Sequence, residues 1–591
     1  MNYILKNNQN KNQSVTETIL HNRGIEDINK YIHSTDADIN DFLELGEDNL
    51  KAGARMLLSA WKEQKKTLIV VDCDCDGYTS AALLYNYLYD IGPLWVDNKV
   101  HYEMHSSKQH GLEDMMNIIL TQNFEFVICP DSSSNDYQEH EQLKKAGIDV
   151  LVLDHHLADK ISKNAVIINN QLSSYPNKEL SGVGITWQFC RYIDSLINKD
   201  YANKYLDLVA LGLVGDMMSL REIETKQLIR KGFQETNICN PFLEYMIDKN
   251  SFSLNKDNYK SNIEGQACTP TGAAWFIVPF INAITRSGTL EEKNIVFMSM
   301  LNNKGLQKVP STKRGHKEGE KEILAVQAVR LVSNVKNRQT REEEKGLLLL
   351  NQKIEKDNML ENKVLIFYLQ PNEIPAEIRG LIANKLMAKY QRPCCILTLT
   401  NRGTYEGSLR GYTKTGLNSF RDICEKFPNL LYCEGHDNAA GLGILEQDKD
   451  TFVDFLNKEL QNIPSEPCYY VDYEYKDTDK ELADTILEIA NLNDYWGQDL
   501  DKPYIVVKAQ LTPSNFYIMK KNTLKISLPN NISIIKFNGT EKEIEDFSVS
   551  NNTTLVAICR CGVNKWNGNS YPQLFLEDYT LEKIKFSSNM F

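Results

Sequence analysis

Three aspartates alternate with cysteines in VDCDCDG, as Asp72, Asp74 and Asp76. If the preceding strand persists, its period of two puts the carboxylates on one face and Cys73 and Cys75 on the other. Carboxylates this close repel and raise one another's pKa unless a cation neutralises them. Taken alone, the motif also fits a solvated loop of acids, or a helix capped by Asp76. Further residues shift the balance: Asp131 closes FEFVICPD, Asp154, His155 and His156 close IDVLVLDHH, and Asp216 closes DLVALGLVGD. Carboxylates mixed with one or two imidazoles suit Mn2+ or Mg2+ better than a thiolate-loving metal. So many acids fit two divalent ions about 3.5–4 Å apart, an arrangement that hydrolyses phosphoesters.

The elements that must gather these residues are legible as short apolar runs between helices. EDNLKAGARMLLSAWKEQKK (47–66) carries Leu50, Ala54, Leu57, Leu58 and Trp61 at helical spacing. TLIVVDCDCDG reads as a strand and AALLYNYLYDIG as a helix, followed by apolar segments over 124–131, 148–156, 165–169 and 207–216. Continuously apolar strands alternating with helices predict an α/β fold with a doubly wound parallel sheet. Ligands of such sheets sit at the carboxyl ends of the strands. Each acidic or histidine group above falls at such an expected end.

A second, smaller α/β unit is expected over 356–465, from VLIFYL, PAEIRGLIANKLMAKY and CCILTL, with the glycine-bearing YEGSLRGY and CEGHDNAAGLGI after them. From 466 to 591 short strands predominate and predict a small barrel. The remaining divisions are an N-terminal extension (1–45), the acid-rich α/β domain (46–300) and a connecting helical segment (301–355). Between Lys304 and Arg341 ten basic residues face three acidic ones. That run reads either as a solvated connecting helix with a loop at PSTKRGHKEGEK or as a wall that tracks phosphates.

The 591 residues allow roughly three to five domains. Hydrophobic residues at 42% and charged residues at 25% exclude wholesale disorder and fibrous repeats. No apolar run reaches eighteen residues, which excludes a membrane-spanning helix, and MNYILKNNQNKNQ lacks the apolar core of a signal peptide. The thirteen cysteines form no CxxC pair and are expected to be reduced thiols in the cytoplasm. A net charge of −13 argues against nucleic-acid binding over the whole surface but leaves room for a local basic channel.

VDCDCDGYTSAALL, ICPD, LDHH and GLVGDMM resemble the four successive motifs of the DHH phosphoesterase superfamily. The resemblance narrows to its RecJ branch of single-strand-specific 5′→3′ DNA exonucleases. YPNKELSGVGITWQF, GDMMSLREIETKQLIRKGF and FIVPFINAITRSGTL are similar to RecJ stretches in matching order. So are the DHH-associated (DHHA1) segments over 374–399, 405–412 and 434–444, and the OB-fold end CRCGVNKWNGNSYPQLFLEDY. The likeness implies Asp74, Asp76, Asp131, His155 and Asp216 as metal ligands, with Asp72 on an ion or one contact removed. Asp154 would orient an imidazole, and His156 would touch the scissile phosphate or join the metal ligands. Arg286, Ser408, Arg410, Gly435 and His436 would meet the substrate. Trp566, in the polar turn NKWNGN, is expected as an exposed stacking platform, with Phe516, Tyr517, Phe537, Tyr571 and Phe575 mostly in the barrel core.

The implied activity is metal-dependent 5′→3′ hydrolysis of single-stranded DNA in recombination and repair. The implied protein partners are a helicase and a single-strand-binding protein, with no membrane involved. Glu434-Gly435-His436, Gly407-Ser408-Leu409-Arg410-Gly411 and Asp131-Ser132-Ser133-Ser134 depart from the family's usual glycine-richer forms. They bear on substrate preference before hydrolysis. The competing readings are a DHH phosphodiesterase of short oligonucleotides or cyclic dinucleotides, and an inactive RecJ-like scaffold.

Overall fold

The computed structural model describes residues 1–6, 13–106, 109–548 and 552–583. Its first sheet runs, edge to edge, Val100–Met104, Thr67–Val71, Phe126–Pro130, Asp149–Asp154 and Val166–Asn169, all parallel. The chain enters at Thr67–Val71, steps to one edge, then crosses back and continues the other way. The winding therefore reverses between Thr67–Val71 and Phe126–Pro130, where such sheets open a ligand crevice at their carboxyl ends. Both faces are covered. Ile69, Val71, Ile128 and Leu151 pack into one core, and Leu68, Val70, Val127 and Val150 into the other. Two-sided burial explains why these strands read as unbroken apolar runs. The Val100–Met104 edge strand escaped the sequence reading because only Val100 is buried.

The second unit has its own five-stranded sheet, ordered Leu430–His436, Ala439–Leu445, Thr404–Arg410, Cys394–Leu399 and Leu365–Leu369. Leu365–Leu369 and Cys394–Leu399 are parallel, joined by the helix Ala376–Tyr390, and the other pairs are antiparallel. The two glycine-bearing segments are thus strands. A 33-residue helix, Leu324–Lys356, joins the two units. Val329, Val332 and Val335 pack into the first core and Leu350 and Ile354 into the second unit's.

Part of the basic run before and within this helix meets local partners. Arg330 grips Glu322 with both terminal nitrogens at 2.6 Å, and Arg338 pairs with Glu292 at 3.0 Å. Lys304 lies over the Tyr85 ring. Those three cations serve the connecting helix, whereas Lys308, Lys313, Arg314, Lys317, Lys321 and Arg341 are exposed.

The C-terminal unit is a seven-stranded mixed sheet with its own core, which includes Ile505, Val507, Ile534, Leu555 and Leu574. The N-terminal strand Asn2–Leu5 pairs in parallel with Cys468–Val471, and Arg23 holds the buried Asp472 at 2.6 and 2.9 Å. Tyr517 and Phe537 are exposed rather than packed in the core, as is Trp566. Tyr517 sits on the sheet's edge strand, Phe516–Met519, which leaves its ring without a covering neighbour on one side. None of the thirteen cysteines is in a disulfide. Among the described residues no helix is long and apolar enough to cross a membrane.

Candidate metal centre

Four chain segments end at the reversal point, and each delivers an acid or an imidazole. Asp72 directly follows Val71, where the strand stops. Asp74 then caps the helix Cys75–Ile91, its Oδ1 accepting from Gly77 N at 3.0 Å. Asp76 lies in the first turn, fully buried, and Oδ1 accepts from Ser181 Oγ (2.9 Å) and Val183 N (3.2 Å). The alternation expected of a continuing strand is therefore corrected: a helix begins at Cys75, and the three acids diverge from a turn. Cys75 is buried in that helix beneath Gly215.

Asp131 follows Pro130 in a left-handed conformation (φ +65°), its N–H donating to Leu153 O at 2.8 Å. Ser133 is left-handed too, at φ +80°. Both positions favour glycine, so the triple serine is accommodated with backbone strain of the kind found beside active sites. His155 follows the strand Asp149–Asp154, and its Nε2 lies 3.2 Å from Asp131 Oδ1 and 3.3 Å from Asp216 Oδ2. Asp216 caps the C-terminus of a helix, Leu206–Gly215, and not the end of a strand as expected. That helix is buried along almost its whole length, so its sequence shows no polar face from which a helical period could be read.

Three sets of side chains have their ligand atoms within 4.8 Å of one another: Asp72, Asp74 and Asp131; Asp76, His155 and Asp216; and Asp131, His155 and His156. The fit of these residues to divalent cations shows in what they lack. Asp76 Oδ2, Asp131 Oδ1 and His155 Nε2 are buried without a hydrogen-bond partner, and Asp72 Oδ1 meets the His110 ring at 3.1 Å. An unsatisfied buried polar atom costs about 1–3 kcal/mol, so three such atoms facing one crevice call for positive charge between them.

The electrostatics agree. Burial, reinforced by Asp74, pushes Asp76 up to about 6. Burial first, and then the neighbouring acids, hold Asp131 and Asp216 well above the usual carboxylate range. Burial lowers His155 to about 4, with His156 adding to the effect, so its ring is neutral at physiological pH.

Asp154 is placed differently. Its Oδ1 accepts from His155 N (2.8 Å) and from His156 Nδ1 (2.7 Å), and Oδ2 accepts from Ser134 N (3.0 Å). It fixes the half-exposed His156 ring and leaves Nε2 as that ring's free nitrogen.

Several supporting residues carried no sequence signal. Ser181 and the start of the helix Gly182–Ile197 hold Asp76, Asn169 steadies Ser134 Oγ at 2.9 Å, and Asn282 Oδ1 accepts from Cys75 N at 3.1 Å. His110 Nδ1 stands 3.1 Å from Asp72 Oδ1; despite burial, that carboxylate raises the imidazole to about 9. Gly182 is required by close approach: a Cβ there would sit 2.5 Å from Asp131 Cβ and 2.7 Å from its Cα. Gly182→Ala should therefore displace Asp131 and cost about 1–3 kcal/mol. It should also weaken manganese binding about tenfold by calorimetric titration. Wild-type affinity in that variant would show that Asp131 need not stand where it does.

Of the residues expected at the substrate, Arg286 and Arg410 come together although they belong to different units. Arg286 is in the helix Val278–Ser287, one turn beyond Asn282, and its Nε is buried without a partner. Arg410 ends the strand Thr404–Arg410, two residues from Ser408 on the same face. Burial lowers its pKa, and the nearby Arg286 lowers it further. Neither guanidinium has an acidic partner among the described residues. Gly435 and His436 are exposed at a hairpin turn, where Gly435 takes φ +131°. Neither His436 nor the 67% exposed Trp566 makes a polar contact with the cluster among the described residues.

Comparison with known proteins follows this architecture. The model of the DHH family, N-terminal domain, matches residues 66–213, and that of the RecJ OB domain matches 473–578. The Bacillus subtilis (strain 168) protein named "Putative SPbeta prophage-derived single-strand DNA-specific exonuclease YorK" is 31% identical over 598 residues, covering 99% of each chain. The single-stranded-DNA-specific exonuclease RecJ of the same organism is 22% identical over 97% of this chain and 70% of its own. The crystal structure of RecJ from Thermus thermophilus in complex with Mn2+ superposes with a TM-score of 0.66 at 17% identity, over 91% of this chain and 72% of that one. A near full-length relative above 30% identity, the two matched domains and the shared fold place this chain in the RecJ-like branch of the DHH family.

Proposed function

We propose that this chain is a metal-dependent nuclease that hydrolyses single-stranded DNA from its 5′ end, in recombination and repair. The observation that carries the reading is the set of partnerless buried atoms on Asp76, Asp131 and His155 at the reversal of the parallel sheet. The names of its relatives supply the substrate class. Asp72, Asp74, Asp76, Asp131, His155 and Asp216 would hold the divalent ions. When bound, such ions lower the pKa of a water and neutralise charge on phosphoryl oxygens.

The chain's own groups do the rest. Asp154 holds the His156 ring so that its free nitrogen serves the phosphate or the metal. Asn282 ties the helix Val278–Ser287 to the Cys75 backbone, which puts Arg286 one turn, about 5.4 Å of rise, from the acidic turn. Arg410 meets it from the second unit, and two guanidiniums without acids attract a phosphate oxygen strongly. On this reading a path between the two α/β units would admit one strand and not a duplex, and strand selectivity would follow from that. The exposed Trp566 and Tyr517 rings offer faces on which bases stack.

Labelled single strands, tagged at the 5′ or the 3′ end, test the proposal with manganese and with chelator. Release of mononucleotides from the 5′ end, abolished by chelator, is expected. Faster turnover of dinucleotides than of long strands would favour the short-oligonucleotide reading. Stoichiometric metal binding with no hydrolysis would favour a scaffold. Arg410→Ala should weaken single-strand binding and reduce the slope of log Kd against log salt by about 0.7, the loss of one phosphate contact. An unchanged slope in a fluorescence titration removes Arg410 from the phosphate path.

A further inference from the structure

Just before the 33-residue helix the chain forms a two-stranded hairpin that the metal centre does not use. Lys308–Pro310 and Lys321–Ile323 pair antiparallel, with Val309 opposite Glu322 and Pro310 opposite Lys321. Alternation along each strand gives this ladder two faces. On the inner face Glu322 accepts from both terminal nitrogens of Arg330 at 2.6 Å and from Thr312 N at 2.9 Å. The buried Gln327 donates to Pro310 O at 3.1 Å and to Thr312 Oγ1 at 3.2 Å. The hairpin is thereby pinned to the long helix.

The outer side has the opposite sign. Lys308 and Lys321 are exposed on the strands, and Lys313, Arg314 and Lys317 are exposed around the tip. Among the described residues none of these five is in an ion pair. Of the hairpin's acids, Glu322 is held inward, which leaves Glu318 and Glu320 against the five cations. Soluble surfaces usually intersperse both signs. In a chain of net charge −13, a hairpin that turns one acid inward and presents its cations is a surface for a polyanion.

Composition and placement narrow the polyanion. Residues 308–323 contain no Phe, Tyr or Trp, so bases find no ring to stack on and the phosphate backbone is the group recognised. The root of the hairpin is fixed beside the helix Cys75–Ile91: Asn302 N donates to Asn86 Oδ1 at 2.9 Å, and Leu324 N to Gln307 O at 2.9 Å. Asn86 is three turns, about 16 Å of rise, from Cys75 beside the acidic turn. A strand stacked at about 3.4 Å per nucleotide covers that distance in about five nucleotides.

We propose that this hairpin is a second contact for single-stranded DNA. Lys308, Lys313, Arg314, Lys317 and Lys321 hold the phosphate backbone of the part of the strand that lies outside the crevice, whatever its sequence. The assignment rests on the proposed nuclease reading, which supplies the strand.

The test is a fluorescence titration of the full chain in chelator, so that nothing is cut, with single strands of about 30 and of about four nucleotides. Lys313→Gln/Arg314→Gln/Lys317→Gln is expected to raise the Kd of the long strand about tenfold at low salt. It should also reduce the slope of log Kd against log salt by about 2, since each lost phosphate contact removes about 0.7. Lys308→Gln/Lys321→Gln should reduce the slope by about 1.4. The short strand should bind both variants as it binds wild type. All five side chains are exposed, so neither variant disturbs the core.

An unchanged long-strand slope in both variants overturns the assignment, as does an equal loss on the short strand or a loss confined to duplexes. The two readings fail separately. Wild-type binding in variants of a chain that degrades single strands removes the hairpin contact alone. Weakened long-strand binding in variants of a chain that degrades none keeps the contact and removes the nuclease.

Discussion

Asp131→Ala is expected to lower turnover of a labelled single strand on the order of 10⁴-fold, about 5.5 kcal/mol in the barrier. One preorganised charge stabiliser typically contributes about 10²–10³. Asp131 is placed to serve more than one cation position, since its carboxylate belongs both to the set with Asp72 and Asp74 and to the set with His155 and His156. No neighbouring carboxylate can stand in, because Asp154 is turned away and fully engaged by His155, His156 and Ser134. The loss should be in kcat, with single-strand affinity changed little, because on the proposed reading Arg286 and Arg410 would hold the strand elsewhere. Product sizing over long incubations checks this. Turnover within tenfold of wild type in saturating manganese would dismiss Asp131 as a shared ligand.

The second large effect is on stability without metal. Asp76 is raised from 3.8 to about 6, and Asp72, Asp131 and Asp216 are raised as well, burial being the main cause in each. A carboxyl whose folded pKa exceeds its unfolded one favours folding while it is protonated. That contribution is whole below about 3.8 and is lost as pH rises through the folded value. For Asp76 alone the loss is about 3 kcal/mol, complete somewhat above pH 6. The chelated protein should therefore melt lower at pH 7.5 than at pH 5, by roughly 1–3 °C from Asp76 alone and by more with the other three acids. Saturating manganese should remove the difference, because bound cations favour the ionised acids. Asp131→Asn, which removes one buried charge, should flatten the chelated profile. A chelated protein that melts higher at pH 7.5 would mean the acids are neutralised by something other than a divalent ion.

Much of this centre could be read from residue types alone. Acids and imidazoles after apolar runs identified Asp72, Asp74, Asp76, Asp131, His155 and Asp216, because a parallel strand buried on both faces has no polar side chain to spare before it reaches the crevice. The same logic gave the doubly wound sheet and the smaller α/β unit. It faltered where burial erased the period. The Leu206–Gly215 helix reads like a strand because nearly every side is covered, and the acidic turn reads like a strand because alternation continues in letters after the backbone has turned.

Other features depended on contacts that no local pattern encodes. Arg330 and Arg338 form part of a basic run in sequence, yet they are spent on Glu322 and Glu292 once the long helix docks. His110 sits in a segment with no periodicity, and only the fold brings its ring to 3.1 Å from Asp72. The set of candidate ligands was thus legible in the sequence, since charge and basicity belong to the residue itself. Which acids share a position, which guanidiniums stay unpaired and which imidazole faces an orphaned oxygen were decided by the tertiary structure, because each depends on distances of a few ångströms between segments tens to hundreds of residues apart.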